Sequence, residues 1–389
     1  MNVGVISAGR MAGYTMLDLM QAHPAVRPVA WYEIAPARSD TAVRIRQLLD
    51  AGIERAADLD ALLGRDDLGV ILNVTPHYVH ADTSIAALEA GHDVLCEKPP
   101  ACTAAECDAM VAAATRTGRR LLIHFQHLLR PSARWLTAAI RRDELGAIRR
   151  VTGLSLWYRD DDYYRRVDWA GRRTVDGRTT LDGTLVNQSI HFLHQMLAMA
   201  ERSGEGRIPA PVEVDAALYR FHAPDALEME DTAVVRGTLA NADRTRFCFA
   251  ATTCAAGRQG ASRVDEYKGR VRPHRIVVEG DRGRAIWDGA ARLEPDGREP
   301  IVFDEPEGPW PFYFHLRRVL AGRDAPVTPM DQAVNTMRLI FAAYAAAGDR
   351  VVQCPWDHHD EVAEVLAACI EQDRLPAALD KAPAWASGA

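Results

Sequence analysis

Short apolar runs alternate with helix-length segments over residues 1–125, and this alternation constrains the fold more than any other feature of the chain. Buried parallel strands have this composition, because helices cover both faces of their sheet and neither side of a strand meets water. The runs are Asn2 to Ile6, Val29 to Tyr32, Val70 to Val74, Asp93 to Cys96 and Arg120 to Phe125. The pattern predicts an α/β domain with a doubly wound parallel sheet.

A different pattern begins at residue 126, and a chain of 389 residues has room for a second core. After a helical connection from Pro131 to Asp143, longer β segments and turns predict an α+β domain over residues 126–383, with a largely antiparallel, open sheet and helices. Residues 384–389 are predicted to be a disordered tail. The predicted strands are Ile148 to Tyr158, Val212 to Phe221, Thr232 to Leu239, Arg246 to Thr253, Arg275 to Val278 and a last hairpin through Ile286, and the predicted helices are Val186 to Ala200 and Asp331 to Ala347.

One helix of the first domain carries its own start and stop signals. Thr103 can accept a hydrogen bond from the amide of Glu106, while Glu106 can reach back to the amide of Thr103, which is the pattern of a capping box. Gly118 is suited to end the same helix. These signals predict a helix between the fourth and fifth strands.

A glycine-containing segment follows the first strand, where a dinucleotide-binding loop belongs. If Gly9 is the central glycine, Ser7 stands where the first glycine is usual and an alanine where the third is usual, giving S-x-G-x-x-A. Gly9 lets the backbone approach a pyrophosphate, and the next helix offers its amides to the phosphates. The alternative is an ordinary strand-to-helix turn. The cofactor-binding candidates here are Ser7, Gly9, Arg10 and Met11.

Glu33 ends the second strand, where a carboxylate accepts hydrogen bonds from the adenosine ribose of a dinucleotide. This carboxylate would repel the 2′-phosphate of NADP, so it favours NAD, although Arg38 is close enough in sequence to supply a compensating charge. A solvated strand end is the alternative interpretation of Glu33.

Two polar segments follow the third and fourth strands: Asn73-Val-Thr-Pro76 with His80 after it, and Glu97-Lys98-Pro99. Ligands of open α/β sheets bind at the carboxyl ends of the strands, so both segments belong to the binding edge. The stretch from Val70 to Pro99 resembles the Gfo/Idh/MocA oxidoreductase family, named for glucose-fructose oxidoreductase and inositol dehydrogenase. The resemblance implies a Rossmann domain that binds a nicotinamide cofactor. The further cofactor-binding candidates are Asn73, Thr75, Pro76, His80, Glu97, Lys98 and Gln126.

The same resemblance implies catalytic roles for Lys98 and His191. In the family, the lysine of E-K-P and a histidine on a helix of the second domain flank the hydroxyl or carbonyl that reacts. On a helix, Asn187, His191 and His194 would share one face, so Asn187 and His194 are substrate-binding candidates. The chain departs from the commonest family pattern, which has aspartate at both of these positions and an arginine near Leu128. These departures put substrate specificity in doubt.

A polar and aromatic segment, residues 157–169, precedes the histidine helix. Sugars need flat apolar surfaces and forked hydrogen-bonding groups, which makes Arg159, Tyr163 and Trp169 substrate-binding candidates. A solvated loop with an aromatic anchor is the alternative for each of them. His124 and His127, on either side of Gln126, are interpreted as structural histidines.

Charge and cysteine content exclude several classes of function. A net charge of −7, without a basic cluster among aromatics, argues against nucleic acid as a partner. No apolar run approaches the ~20 residues that cross a bilayer, and we expect a cytoplasmic protein because the N-terminus has no secretory pattern. Seven scattered cysteines indicate reduced residues. Cys354, His358 and His359 have no standard ligand spacing, so no metal is predicted.

The resemblance implies hydride transfer between the nicotinamide and a hydroxyl or ketone carbon of a sugar, nucleotide sugar or cyclitol. Two alternatives stay open: a redox-neutral lyase, glycosidase or epimerase that keeps NAD tightly bound, and a non-catalytic ligand sensor on the same fold. We also expect a homodimer or homotetramer, since an open sheet leaves one face to be covered.

Overall fold

A computed structural model describes residues 1–7, 26–34, 48–203, 207–223, 225–255, 274–306, 312–348, 351–354 and 359–376. The chain forms two units, one made of Met1–Leu129 with Gly308–Val334 and the other of Arg130–Glu307 with Asn335–Ala389. A late segment of the chain thus belongs to the first unit, where Leu316 and Val319 pack into the core beneath the parallel sheet.

The described part of the first unit contains a six-stranded parallel sheet with the order β3-β2-β1-β4-β5-β6. The strand order reverses between β1 and β4, as in a doubly wound sheet, and confirms the predicted Rossmann-like architecture. The fully buried Trp31 lies in the core on β2, and its indole N–H donates to the carbonyl of Ile53 at 3.3 Å. The strands are β1 (Asn2–Ile6), β2 (Arg27–Tyr32), β3 (Glu54–Arg55), β4 (Val70–Asn73), β5 (Asp93–Cys96) and β6 (Leu121–Ile123).

The second unit contains a nine-stranded mixed sheet with the order β16-β15-β14-β13-β7-β12-β11-β10-β17. Most neighbouring strands are antiparallel, and the β12–β7 and β10–β17 pairs are parallel. The prediction of a largely antiparallel, open sheet is confirmed. The strands are β7 (Ile148–Leu156), β8 (Thr174–Val175), β9 (Arg178–Thr179), β10 (Pro211–Arg220), β11 (Thr232–Leu239), β12 (Arg246–Thr252), β13 (His274–Gly280), β14 (Gly283–Trp287), β15 (Ala291–Pro295), β16 (Ile301–Phe303) and β17 (Val352–Gln353), of which β8 and β9 form a separate hairpin.

The helices of the described residues connect and cover these sheets. In chain order they are α1 (Leu59–Leu63), α2 (His80–Glu89), α3 (Ala104–Thr117), α4 (Pro131–Arg141), α5 (Asp161–Arg165), α6 (Ile190–Met199), α7 (Phe312–Leu320), α8 (Met330–Ala346) and α9 (His359–Gln372). None of them is long and apolar enough to cross a membrane.

The predicted capping box at the start of α3 is confirmed. Thr103 Oγ1 accepts from the amide of Glu106 at 3.2 Å, and a carboxylate oxygen of Glu106 accepts from the amide of Thr103 at 2.9 Å. Gly118 ends the helix with a φ of +66°, a left-handed conformation that glycine adopts without steric cost.

The predicted helix from Val186 to Ala200 is wrong at its N-terminal end, because α6 begins at Ile190. The preceding residues form turns, in which the amide of Asn187 donates to the carbonyl of Gly183 at 3.0 Å. Asn187 therefore does not share a helix face with His191 and His194. Apolar periodicity continues through the turns, so it could not reveal where the helix starts.

Several short strands have no counterpart in the predicted elements. β3 consists of two exposed residues, Glu54 and Arg55, and β17 of Val352 and Gln353, which are also exposed. Neither pair has an apolar face that would reveal it, since edge strands this short depend on a neighbouring strand for their pairing. The strands β15 and β16 were likewise not predicted, and the predicted tail at 384–389 lies outside the described residues.

Close packing of α6 on the sheet depends on a glycine in β7. A Cβ atom at Gly153 would lie 2.6 Å from the ring of Phe249 and 3.0 Å from Met196 Sδ, too close for a larger residue. All seven cysteines are among the described residues, where they are buried and form no disulfide. This agrees with their interpretation as reduced side chains.

A buried carboxyl group, Glu230, lies under the turn that leads to α6. It is fully buried, accepts a hydrogen bond from the amide of Leu185 at 3.1 Å and contacts Tyr344 Oη at 3.0 Å. Burial raises the pKa of Glu230 from 4.5 to about 7. Its folded-state pKa thus exceeds its unfolded value, so the group's contribution to stability is largest below about pH 4.5 and is lost as the pH rises through 7.

We expect Glu230→Gln to remove this pH dependence, because the amide keeps the shape and an acceptor oxygen without titrating. Relative to wild type, the variant should gain about 2–3 kcal/mol of unfolding free energy between about pH 5 and pH 8, measured by urea denaturation. The matched control is Glu228→Gln, since the Glu228 side chain is 43% exposed and should show no such trend. If the unfolding free energies of wild type and Glu230→Gln change with pH in the same way, the prediction is contradicted.

Candidate active site

The carboxyl ends of β1 and β2 bring Ser7 and Glu33 together. Ser7 Oγ lies 3.3 Å from a carboxylate oxygen of Glu33, and the amide of Ser7 donates to the carbonyl of Tyr32 at 2.7 Å. Ser7 has a φ of +83°, a left-handed conformation that favours glycine. Ser7 thus has a backbone conformation that glycine adopts without strain, at the position where the predicted loop would have its first glycine. Gly9, Arg10, Met11 and Arg38 lie outside the described residues.

The turn after β4 is organised by Asn73, which is fully buried. Its side-chain amide donates to Thr83 Oγ1 at 2.7 Å and to Ser84 Oγ at 2.9 Å, both on α2. Its carbonyl oxygen accepts from Thr75 Oγ1 at 2.8 Å. Asn73 thus stabilises the backbone conformation of Thr75 and Pro76, so its support for a cofactor is indirect.

His80 links the turn after β4 to the loop after β5. Its Nδ1 lies 2.7 Å from the carbonyl oxygen of Pro99, its Nε2 lies 2.8 Å from that of Thr75, and its exposed fraction is 1%. Burial, the largest influence, lowers the pKa of His80 to about 4, while the two carbonyls favour the protonated ring. A pKa near 4 leaves the ring neutral at physiological pH, so it donates through one nitrogen only. Each nitrogen contacts the carbonyl of a different loop, so His80 packs between the two loops.

Glu97 and His124 form a buried pair at the ends of β5 and β6. Glu97 Oε1 lies 2.5 Å from His124 Nδ1, and the other carboxylate oxygen accepts from the amide of Lys98 at 3.3 Å. Burial opposes ionisation of Glu97, but the charge and hydrogen bond of His124 outweigh it and hold the pKa of Glu97 below its ordinary value. The pair fixes the loop that carries Lys98, a half-buried residue joined to Pro99 by a cis peptide bond.

Gln126 begins a short 3-10 helix, Gln126–Leu129, immediately after this edge of the sheet. Its side-chain Oε1 is buried and has no hydrogen-bond partner among the described residues. An acceptor in this state costs free energy unless a ligand or water donates to it. Gln126 Oε1 is thus able to accept a hydrogen bond from a ligand, as expected of a cofactor-binding residue.

In the second unit, Asn187 and Gln188 precede the half-buried His191, which lies in the first turn of α6. Asn187 Nδ2 donates to Asp182 Oδ1 at 2.8 Å, and Gln188 Nε2 donates to Tyr163 Oη at 3.0 Å. The role of Asp182 gave no signal in the sequence, because it depends on a contact between two turns. Gln188 was not among the predicted site residues, and its only signal in the sequence was its position directly after Asn187.

His194 lies in the packed interior of the second unit. It is fully buried, and its Nδ1 lies 2.8 Å from Thr336 Oγ1. Burial lowers the pKa of His194 to about 3, so the ring is neutral at physiological pH. These observations favour a packing role for His194 over the substrate contact expected from the sequence.

The segment before the histidine helix forms a stack of alternating aromatic and guanidinium groups. We call Trp157, Arg159, Tyr163, Arg166 and Trp169 the arginine–aromatic row. The Arg159 guanidinium carbon lies 5.2 Å from the Trp157 ring centre and 4.8 Å from that of Tyr163, and the Arg166 carbon lies 3.6 Å from Tyr163 and 5.5 Å from Trp169. The three predicted residues therefore belong to one cluster, joined by an arginine that the sequence analysis did not select.

A buried trio of metal-ligand types, His222, Asp231 and Cys254, lies on the same unit. His222 Nδ1 is 2.8 Å from Asp231 Oδ2 and Nε2 is 2.8 Å from the carbonyl oxygen of Arg159, so both ring nitrogens face acceptors within the protein. Burial opposes protonation of His222, yet Asp231 raises its pKa above the ordinary value. This arrangement indicates a histidine–carboxylate pair. Cys354 is buried, and His358 lies outside the described residues.

Residues 1–125 match the family described as "Oxidoreductase family, NAD-binding Rossmann fold", Gfo/Idh/MocA. The match covers the first 125 of the chain's 389 residues, the part that carries the parallel sheet. The match bears out the resemblance seen in the sequence and supports NAD as the class of cofactor.

Three individual proteins illustrate what the chain is similar to. A 1-carboxy-3-chloro-3,4-dihydroxycyclohexa-1,5-diene dehydrogenase of Comamonas testosteroni is 29% identical over 240 residues, 61% of this chain and 55% of that protein. A 2,7-anhydro-N-acetylneuraminate hydratase of Mediterraneibacter gnavus is 42% identical over 67 residues, 17% of each chain. The chain thus spans about half or less of these curated relatives.

The third protein is a solved structure, the WlbA dehydrogenase from Bordetella pertussis in complex with NADH and UDP-GlcNAcA. It is 21% identical, has a TM-score of 0.69, and the match covers 91% of this chain and 99% of that one. At this identity the likeness shows that the fold is shared over nearly the whole chain.

We expect His80→Phe to weaken cofactor binding. The phenyl ring is aromatic and of similar size, but the carbonyl that accepts from the imidazole N–H, that of Thr75 or of Pro99, loses its donor, at a cost of roughly 1–3 kcal/mol. Loosening both loops should raise the Kd for NADH at least about tenfold, measured by fluorescence titration.

The control is His92→Phe, which removes a buried histidine contact of 2.7 Å to the carbonyl of Leu63. His92 precedes β5, at the amino edge of the sheet, so its loss should lower stability without a comparable change in NADH affinity. Equal effects of the two variants on Kd would contradict the positioning role of His80.

Proposed function

We propose that the chain is a nicotinamide-dependent dehydrogenase or reductase acting on a hydroxyl or ketone carbon of a sugar, nucleotide sugar or cyclitol. The observation that carries the proposal is the organised carboxyl edge of the parallel sheet, where the Glu97–His124 pair holds the loop of Lys98 and His80 joins that loop to Thr75. The family of residues 1–125 supports the same class of chemistry.

Three features of this edge fit a dinucleotide. Ser7 has the left-handed backbone of a phosphate-binding turn, the Glu33 carboxylate lies beside it, and Gln126 Oε1 is a buried acceptor without a partner among the described residues. Ser7, Glu33, Thr75, Pro76, Glu97, Lys98 and Gln126 would hold the cofactor. When bound, the nicotinamide supplies the carbon that accepts or donates a hydride.

Lys98 and His191 are the proposed acid–base and electrostatic groups. The ammonium of Lys98 would stabilise the negative charge that develops on the substrate oxygen. The imidazole of His191 would take the hydroxyl proton during oxidation and return it during reduction. Asn187 cannot act as a base, because an amide does not ionise at ordinary pH, so it would orient the substrate together with Gln188.

We expect Lys98→Met and His191→Ala each to lower kcat by roughly 10² or more, the scale for loss of an electrostatic or acid–base group. Both variants should keep the fold and much of the cofactor affinity, although Lys98→Met should weaken cofactor binding to some extent because Lys98 is also proposed to contact the cofactor. Asn187→Ala is the comparison: loss of a positioning contact should raise KM, with a smaller fall in kcat. Steady-state absorbance assays of NADH measure both parameters. Near wild-type turnover in both the Lys98 and His191 variants would refute the mechanism.

We propose that the cofactor is NAD, because Glu33 presents a carboxylate where NADP carries its 2′-phosphate. NADH should bind at least about tenfold more tightly than NADPH, and Glu33→Gln should narrow this gap. Glu89→Gln, at the exposed end of α2, is the control and should leave the ratio unchanged. If NADPH binds wild type as tightly as NADH, the assignment fails.

A redox-neutral reaction with retained NAD is the second candidate, favoured by the similarity to a hydratase over 67 residues. It differs from the first in needing no added cofactor for turnover, and the protein would retain NAD through purification. The homodimer or homotetramer stays a prediction.

A further inference from the structure

Arg159 and Arg166 carry charges that no carboxylate of the described residues pairs. Neither guanidinium has a carboxylate oxygen within 4.0 Å among the described residues, although the segment between them contains three aspartates. Each makes one described hydrogen bond through Nη1, Arg159 to the carbonyl of Tyr158 at 2.7 Å and Arg166 to that of Tyr163 at 2.5 Å. Since a guanidinium has five N–H donors, most of this capacity is unused.

The neighbouring aspartates are engaged elsewhere. Asp160 caps α5 by accepting from the amide of Tyr163 at 2.8 Å. Asp161 and Asp162 lie 3.6 Å and 4.0 Å from Arg165, which also lies 3.2 Å from Asp225. Asp160 thus serves a backbone amide and the other carboxylates lie around Arg165, so none of them pairs with Arg159 or Arg166.

Stacking holds both guanidinium groups in place. Both lie on the ring of Tyr163, so the two charged carbons are no further apart than the sum of 4.8 Å and 3.6 Å. Like charges at this spacing repel each other, and Arg159 Nε is buried without a hydrogen-bond partner among the described residues. An anion that accepts hydrogen bonds from both guanidinium groups would offset their mutual repulsion and satisfy the buried Nε of Arg159. The planar N–H groups of arginine match the oxygen atoms of a carboxylate or a phosphate.

The row is joined to the proposed catalytic segment. The hydroxyl of Tyr163 accepts from Gln188 Nε2 at 3.0 Å, and Gln188 precedes His191 by three residues. The Oε1 atom of Gln188 is buried without a partner among the described residues and could accept from a substrate hydroxyl. Arg159, Tyr163, Arg166 and Trp169 are all partly exposed, so a ligand can reach them.

We propose that Arg159 and Arg166 bind an anionic group of the substrate, either a carboxylate or a phosphate. The substrate is then a sugar acid, a sugar phosphate or a nucleotide sugar, and a neutral sugar or cyclitol is a poor ligand. The inference rests on the proposed function for the identity of the substrate as a sugar derivative. The charge on the ligand is inferred only from the two arginines, which have no carboxylate partner in the described part of the chain.

The test compares three probes on NADH-loaded protein by isothermal titration calorimetry: glucose, glucuronate and UDP-glucose. At least one anionic probe should bind ten times more tightly than glucose or better, and Arg159→Met and Arg166→Met should each reduce that preference about tenfold. Tight binding of glucuronate assigns a carboxylate, and tight binding of UDP-glucose alone assigns a phosphate. If no anionic probe binds more tightly than glucose, including no binding at all, the proposal is overturned.

Two further sets of variants separate charge from folding. Arg165→Met removes an ion-paired arginine of the same segment and should leave the preference intact. Arg159→Lys and Arg166→Lys keep the charge without the planar fork and should give intermediate losses, so a folding defect in a methionine variant does not decide the outcome. A preference that survives the methionine variants would also overturn the proposal.

Hydride transfer is measured in parallel with the same probes and with NAD⁺ in place of NADH, because oxidation of a probe hydroxyl needs a hydride acceptor. Anion preference without turnover on any probe leaves the arginine site standing and counts against the proposed dehydrogenase. Turnover on glucose without a preference for anionic probes supports the proposed dehydrogenase and overturns the proposed arginine site.

Discussion

All strands of the described six-stranded sheet run in one direction, and the candidate cofactor site depends on that constraint. Because the strands are parallel, the residues after β1, β2, β4, β5 and β6 meet at one edge, although they come from distant parts of the sequence. A reversed strand would send its following residue to the opposite edge. The parallel arrangement is itself secured by buried apolar strands and by helices that cover the sheet.

Polar side chains at this edge are buried, and burial is costly unless each group finds a partner. The structure meets this requirement with mutual contacts: Glu97 with His124, His80 with two carbonyls, and Asn73 with two hydroxyl groups on α2. These contacts hold neighbouring loops in one arrangement before any ligand arrives. Preorganisation of this kind lowers the ordering cost of binding, and Glu97 also holds the backbone amide of Lys98.

The second unit shows that a functional residue type does not by itself make a functional site. His194, Glu230 and the His222–Asp231 pair are titratable groups in the interior, and each is matched by a partner or held neutral by burial. Arg159 and Arg166 differ because they are partly exposed and lack carboxylate partners among the described residues. The two arginines proposed to bind a ligand thus differ from these structural groups in carrying a charge that no carboxylate of the described residues pairs.

Local signals in the sequence were sufficient for five of the six strands of the parallel sheet, all but β3, for the capping box at Thr103 and for the polar segments that follow β4 and β5. Apolar runs and capping residues act over a few positions, so their meaning does not depend on distant contacts. Ser7, which stands where the predicted motif would have its first glycine, has a left-handed backbone.

The tertiary structure alone decided where α6 begins, that His80 joins two loops, that His194 is buried and that Arg165 rather than Arg159 or Arg166 takes the aspartates. Each of these outcomes depends on groups brought together from different elements or on a choice between several nearby partners. Sequence spacing sets which contacts are possible, but the free energy of burial and pairing in the folded chain selects among them.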